Sequence, residues 1–409
     1  MVGFKTTELG LIPENWNTPS LSDVAELIMG QSPPSSTYNS QEIGLPFYQG
    51  KADFGFISPE ARIYCSSPKK VAIENDILMS VRAPVGTVNL CNRESCIGRG
   101  LAAIRAKDVN FKFLYFQFLY LESKIASLGT GSIFKSINKH QLAEVKVAKP
   151  HSTEQTSIAH VLSQIQSAIE TQGKIIQTTT ELKKALMQKL FTEGLSGEPQ
   201  KETEIGLVPK SWDIIMVDKL GEIITGTTPP TKNKEFYENG GFQFISPADL
   251  GETKYVYETG KEISGEGLKV ARVLPKESVL VVCIGSTIGK VGLTFEDKSA
   301  TNQQINAIIC KEEFNPHFIY YLLDYKSDYI RSLATPSPVP IISKGKFQQA
   351  VIPISKNRKE QIEIAKILSV LDEKIEKGKQ RNATLQVLFK SMLHHLMTGQ
   401  IRVKDLKFA

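Results

Sequence analysis

The chain is written twice. Residues 7–16 read TELGLIPENW and residues 203–212 read TEIGLVPKSW. Gly30, Pro33, Pro34 and Asp53 recur in register as Gly226, Pro229, Pro230 and Asp249. Val85-Gly86 returns as Ile288-Gly289, and EQTSIAHVLS at 154–163 returns as EQIEIAKILS at 360–369. Leu190 and Thr192 return as Leu396 and Thr398. The matches keep their order through both halves, which marks a duplication. Units of about 200 residues are too long for a solenoid, whose short repeats stack many times. Such a chain should behave like a dimer fused end to end, with a pseudo-twofold internal repeat.

Each half changes character part-way, giving four segments: 1–152, 153–195, 196–358 and 359–409. The first and third are rich in Gly, Pro and short β-type runs. ILMSVRAPVGTV at 77–88 and VLVVCIGSTIGKV at 279–291 read as buried strands joined by turns. Asn110 should cap a helix over FKFLYFQFLYLESKIASL, and Asn315-Pro316 its counterpart. At helical spacing, the aromatic run from Phe111 to Tyr120 is expected in the core rather than stacked on bases. The fold class is α+β: two mixed α/β globules with curved sheets.

The second and fourth segments contain no proline from Thr153 to Glu193 or from Lys359 to Thr398. Ile158, Val161, Ile165, Ile169, Leu182, Leu186 and Leu190 recur at three-four spacing. Ile364, Ile367, Leu371, Ile375, Leu385, Met392 and Leu396 do the same. Each is an amphipathic helix with an apolar stripe, and 40 residues of helix reach about 60 Å. Two copies related by a pseudo-twofold should pair as an antiparallel coiled coil. The alternative is that each packs on its own globule alone. Gln172-Gly173 and Gly378 interrupt the stripes, and a mid-helix glycine costs about 1 kcal/mol against alanine. Local looseness or a kink is expected there.

Composition narrows the class only a little. The chain has 409 residues, a formal charge of +6, 22% charged and 41% hydrophobic residues. That balance is ordinary for a soluble protein and permits nucleic-acid binding without demanding it. Cys65, Cys91, Cys96, Cys283 and Cys310 form no CxxC pair, so reduced thiols are expected. Residues 1–20 lack the apolar core of a secretory signal, and the longest apolar run, 279–284, cannot span a bilayer. A cytoplasmic location is expected.

Catalytic signatures are missing. SPPS at 32–35 and TPPT at 228–231 lack the aromatic residue of an amino-methyltransferase tetrapeptide, and read as rigid turns. GSTIGKV at 285–291 is one residue short of a P-loop, with Val291 where Ser or Thr should stand. The six histidines show no ligand spacing. A non-catalytic protein that binds no cofactor is expected.

The paired TE-x-G-x-(I/V)-P-x-x-W segments and the EQ-x-x-IA-x-x-(L/I)-LS helix starts resemble the specificity subunits of type I restriction-modification systems. DILMSVRAPVG (76–86), CIGRGLAAI (96–104) and GTGSIFKSI (129–137) resemble the family's target-recognition domains. The second globule departs from them, with TNQQ at 301–304 and TPSPVPIIS at 335–343. That departure implies two different half-sites, hence an asymmetric target. The resemblance implies two target-recognition domains, each reading half of a split double-stranded DNA site. It also implies two methyltransferase (M) subunits docked on the helices, and restriction (R) subunits. S-adenosylmethionine, ATP and magnesium are then expected in those partners. Two readers on one spacer should meet half-sites roughly one turn apart, about 10 bp.

DNA contact requires cations for phosphates and forked side chains for base edges. The candidates in the first globule are Gln31, Lys51, Arg82, Arg99, Lys135 and Lys139. Those in the second are Thr227, Lys290, Asn302, Gln303, Gln304 and Lys344. A solvated charge or a strand-end cap is the bland reading of each. Exposed charge around Glu181–Lys189 and Glu373–Arg381 is the expected partner surface. A free-standing DNA-binding regulator, a coiled-coil scaffold and a fragment of a fused enzyme are the competing functions.

Overall fold

The apolar runs of each half become the inner strands of an antiparallel sheet. The computed structural model of the chain describes residues 3–129 and 136–403. Ile77–Ser80 and Val279–Val282 are buried along their whole length, which is why no polar residue alternates within them. The first sheet has the order Ala25–Met29, Leu101–Ala106, Ile77–Ser80, Val88–Leu90. The second repeats it as Gly221–Thr225, Ile305–Cys310, Val279–Val282, Val291–Thr294, and adds Tyr255–Val256 in parallel at the edge. A smaller sheet accompanies each one, built on a parallel pair. That pair is Leu45–Tyr48 with Ser95–Ile97 in the first half, and Phe242–Ile245 with Ser299–Thr301 in the second. The chain passes from the small sheet to the large one through residues 98–100 and 302–304.

Helix α1 (Phe111–Leu128) starts at Asn110, whose side chain accepts from Phe113 N at 3.1 Å. Its aromatic run is core: Phe113, Tyr115, Phe116 and Phe118 are buried. Helix α2 is Ser152–Glu193. Helix α3 (Pro316–Tyr325) repeats the start of α1, with Asn315 accepting from Phe318 N at 3.0 Å and proline in the first turn. Helix α4 is Arg358–Met397. Both long helices run unbroken through Gln172, Gly173 and Gly378. The cost of a lone glycine is small beside what packing contributes along a long amphipathic helix.

The repeated Glu-Gln pair near the head of each long helix is a structural clamp. Gln155 is buried; its Oε1 accepts from Asn110 N at 2.8 Å and its Nε2 donates to Pro150 O at 2.8 Å. Gln361 repeats this with Asn315 N at 2.8 Å and Ser355 O at 2.8 Å. The preceding glutamates hold the tryptophans of the repeated N-terminal segments. Trp16 Nε1 donates to Glu154 and Trp212 Nε1 to Glu360, each at 3.2 Å. Each glutamate also fixes the chain leaving the other long helix. Arg402, beyond α4, forks onto Glu154 at 2.6 and 2.9 Å. Leu195 N, beyond α2, donates to Glu360 at 3.0 Å.

By packing, the chain divides into two units: residues up to Gly173 together with those from Arg381 onward, and Lys174–Gln380. Each unit therefore holds a globule and half of each long helix. In the first, Ile158 and Leu162 share a core with Leu396 and Met397, and Asn382 Nδ2 donates to Ile169 O at 3.1 Å. In the second, Met187 and Leu190 share a core with Ile364 and Leu368, and Lys183 pairs with Asp372 at 2.7 Å. Within each unit the two helix halves run antiparallel. The same cores include the globules' aromatic residues, so the stripes cover both surfaces that the sequence offered as alternatives.

Two predictions follow from this packing. Gln361→Ala strands a backbone donor and a carbonyl, and should lower stability by about 1–3 kcal/mol. The exposed neighbour Glu363→Ala should stay within about 0.5 kcal/mol of the parent in the same denaturant titration. The second concerns His317, whose Nε2 lies 3.2 Å from Glu277 Oε1. Burial, with Lys254 nearby, holds its imidazole below the ordinary value despite Glu277. The folded state thus resists the proton, and stability present above about pH 6.5 is lost as pH falls. His317→Asn should flatten that acid-side loss in unfolding titrations between about pH 7.5 and about pH 5.

Candidate nucleic-acid interface

Main-chain hydrogen bonds fasten the same loops together in both globules. The loop leaving the first strand of each large sheet lies against the 98–100 or 302–304 linker. Gln31 N donates to Ile97 O at 3.0 Å, and Thr227 N to Thr301 O at 2.9 Å. The approach is so close that glycine is required at the start of each loop. A Cβ on Gly30 would lie 2.1 Å from Gly98 O, and one on Gly226 2.1 Å from Asn302 O. The Pro-Pro turns are braced by tyrosines: Tyr38 OH donates to Pro33 O at 2.8 Å, and Tyr237 OH to Pro229 O at 2.6 Å.

The linkers are held from behind. Gly98 N donates to Tyr48 O at 2.8 Å and Asn302 N to Ile245 O at 3.1 Å. Val81 N donates to Gly100 O at 2.9 Å and Cys283 N to Gln304 O at 2.8 Å. The loop after the central strand is then tied to a later segment. Ile137 N reaches Val81 O at 3.0 Å, and Ile342 N reaches Cys283 O at 2.8 Å. Each globule thus gathers four loop segments into one place. Because main chain carries the bonding, the side chains are free to differ between the copies.

The first-globule candidates mostly converge. Gln31, Arg82 and Arg99 are exposed on three of these segments. Lys51 opens the turn after Gln49, whose carbonyl would stand 2.2 Å from a Cβ on Gly100. Lys139 begins a short helix soon after Ser136, which bridges to Arg82. Lys135 lies outside the described residues.

In the second globule Thr227, Asn302, Gln303, Gln304 and Lys344 belong to the same gathering. Lys344 starts a short helix capped by Ser343, next to Ile342. The amide run divides its labour. Asn302 Nδ2 donates to Gln304 Oε1 at 3.0 Å, and Asn302 Oδ1 accepts from Gln304 N at 3.0 Å. Gln304 Nε2 also leans on Ile284 O at 3.4 Å. Of the three, Gln303 is the exposed one, its Oε1 accepting from Thr228 Oγ1 at 2.6 Å.

Lys290 stands apart from this gathering. Its ammonium donates to Leu250 O at 3.0 Å, and its stem lies against Gly251. It lines a cavity of about 540 Å³ with Lys183, Lys254 and Asp372. The glycine-flanked segment around it is a strand-to-strand turn with no helix after it, unlike a P-loop. Sequence reasoning missed Arg272, exposed, with Nη1 donating to Thr225 O at 2.7 Å beside Gly226. A lone arginine carries no sequence signal. It also missed the hydroxyls of Ser32 and Thr228, although both lie in the SPPS and TPPT segments.

Among the described residues no group of three or more His, Cys, Asp or Glu is placed to hold a metal ion. The cysteines are free thiols, and burial pushes that of Cys283 up to about 12. No helix among the described residues is long and apolar enough to cross a membrane.

The family model described as "Type I restriction modification DNA specificity domain" matches residues 13–180 and again residues 209–386. A Methanocaldococcus jannaschii protein that carries the name MjaX specificity subunit is 44% identical over 193 residues, 46% of this chain and 45% of that protein. The match therefore spans less than half the length of that relative. The MjaVIII type I restriction enzyme specificity subunit of the same organism is 24% identical over 97% of this chain and 95% of its own. Among solved structures, the S subunit of a type I restriction-modification system from M. genitalium aligns with a TM-score of 0.68. It shares 18% identity, with 93% of this chain and 96% of that chain covered. Two matches to one family model, together covering more than half of the chain, place it plainly: this chain belongs to the type I restriction-modification DNA specificity family.

Proposed function

We propose that this chain reads a bipartite, asymmetric DNA target for a type I restriction-modification complex. Each globule takes one half-site, and the complex's other subunits assemble on this chain. The observation that carries the reading is the duplicated loop scaffold. The same main-chain bonds hold both copies, while the exposed side chains differ: Gln31, Arg82 and Arg99 in one, Gln303 and Lys344 in the other. Equal frames with unequal side chains suit two different sequences read in one way. Cations and amides at the gathered loops suit phosphates and base edges.

The chemistry then belongs to partners. Two methyltransferase subunits bring S-adenosylmethionine, and restriction subunits bring ATP and magnesium. The exposed apolar residues Ile175 and Leu182 of α2, and Val387 and Leu388 of α4, are surface that such subunits would cover.

Base-resolved methylation sequencing tests this. A host carrying a methyltransferase subunit of the same system should show a split motif of fixed gap, with unlike halves, only when this chain is present. Identical methylation without the chain, or an active methyltransferase with no bipartite motif, would favour a free-standing regulator or scaffold.

A further inference from the structure

We infer that one loop position reads a base in each half-site: Arg99 a guanine in one, and Gln303 an adenine in the other. The inference rests on the target-reading function proposed above.

The two residues occupy the same place. IGRG at 97–100 and TNQQ at 301–304 fill one backbone frame. The residue before the linker accepts from Gln31 N or Thr227 N. The first linker residue donates to the small sheet, and the last accepts from Val81 N or Cys283 N. Leu101 N closes the first turn onto Gly98 O at 3.0 Å, and Ile305 N closes the second onto Asn302 O at 3.3 Å. Arg99 and Gln303 sit between, at the apex, and both are exposed.

The flanking positions cannot read. Gly98 and Gly100 have no side chain. Asn302 and Gln304 are half-buried and bonded to each other and to the loop behind them. These amides are positioning residues, doing with side chains what close glycine packing does in the first copy. Only the apex side chain is left to reach outward.

The apex side chains also have matching chemistry. Among the described residues the Arg99 guanidinium forms no ion pair or hydrogen bond, so its fork is available. A fork of two N–H donors fits the O6 and N7 acceptors of guanine. Gln303 is set by the Thr228 hydroxyl, which donates to one lone pair of Oε1. The second lone pair and the Nε2 donors remain. One acceptor beside one donor fits adenine N6 and N7.

The test exchanges the two residues in the full chain, with its methyltransferase partner, and reads the methylated motif. Arg99→Gln should move one position of one half-site from guanine towards adenine. Gln303→Arg should move one position of the other half-site from adenine towards guanine. The partner half-site should be untouched in each case. The change in discrimination should lie between about 5-fold and about 150-fold. Arg99→Lys keeps the charge and loses the fork. It should keep methylation while relaxing that same single position, which separates lost reading from lost fold. An unchanged motif in both exchanges overturns the inference. So does a uniform loss at every position, the signature of a phosphate contact. If the parent chain itself yields no bipartite motif, the target-reading function falls, and this inference with it. A clear parent motif with unresponsive variants overturns the inference alone.

Discussion

The Glu-Gln pair near the head of each long helix organises everything around it. A glutamine side chain that bonds two main-chain groups at once can accept only one arrangement of them. In each copy it ties the long helix to the start of the globule's own helix and to the turn before the long helix. The neighbouring glutamate adds the tryptophan of the N-terminal segment and the chain leaving the other long helix. Four separate stretches of sequence thus meet at two adjacent residues. A buried polar group is costly unless bonded, so the register of globule on helix is sharply set. The loops gathered on each globule inherit that register.

The loop scaffold and the exposed loop side chains follow opposite rules for the same physical reason. Main-chain bonds hold the loops whatever the side chains are, except where Gly30 and Gly226 let two backbones touch. Side chains at the apex can therefore change without cost to the frame, and here they have changed from arginine to glutamine. Where a side chain does carry the frame, as Asn302 and Gln304 do, it is turned onto the loop itself. The second copy has replaced glycine flanks by a mutual amide brace and kept the backbone geometry.

What the sequence disclosed was periodic or local. The duplication, the stripes of the long helices, and the caps at Asn110 and Asn315 each depend on neighbours along the chain. The aromatic run was legible as core for the same reason. What escaped depends on where side chains point. Lys290 is a DNA-contact candidate by its charge, and only the fold shows its stem against Gly251 and its ammonium on the carbonyl of Leu250. The three amides looked equivalent, and only the fold shows two of them facing each other. Arg272 gains interest solely because its chain folds back beside Gly226. The glycines of the long helices carry an intrinsic penalty, and the helices nonetheless run on through them.

The two halves have also diverged where the helices meet. Gln166 donates to Tyr115 OH at 3.1 Å in the first unit. Its counterpart by sequence is Asp372, which accepts from Tyr321 OH at 2.6 Å and pairs with Lys183. Lys183 corresponds in turn to Phe389, whose ring packs edge-on to Phe116 at 6.1 Å. One copy thus uses an amide and aromatic rings where the other uses an ion pair with a tyrosine hydroxyl on its carboxylate. These contacts cannot be exchanged between copies. Phe389 could not neutralise Asp372, and Lys183 set among Tyr115 and Phe116 would be a poorly paired charge, which burial penalises. A symmetric fused dimer could pair its helix halves in more than one way, and the duplicated stripes permit it. The divergent contacts favour a single pairing, because only there does each charge meet its partner and each ring meet a ring. The divergence of the exposed loop side chains between the two globules thus has a parallel in the helices that carry them.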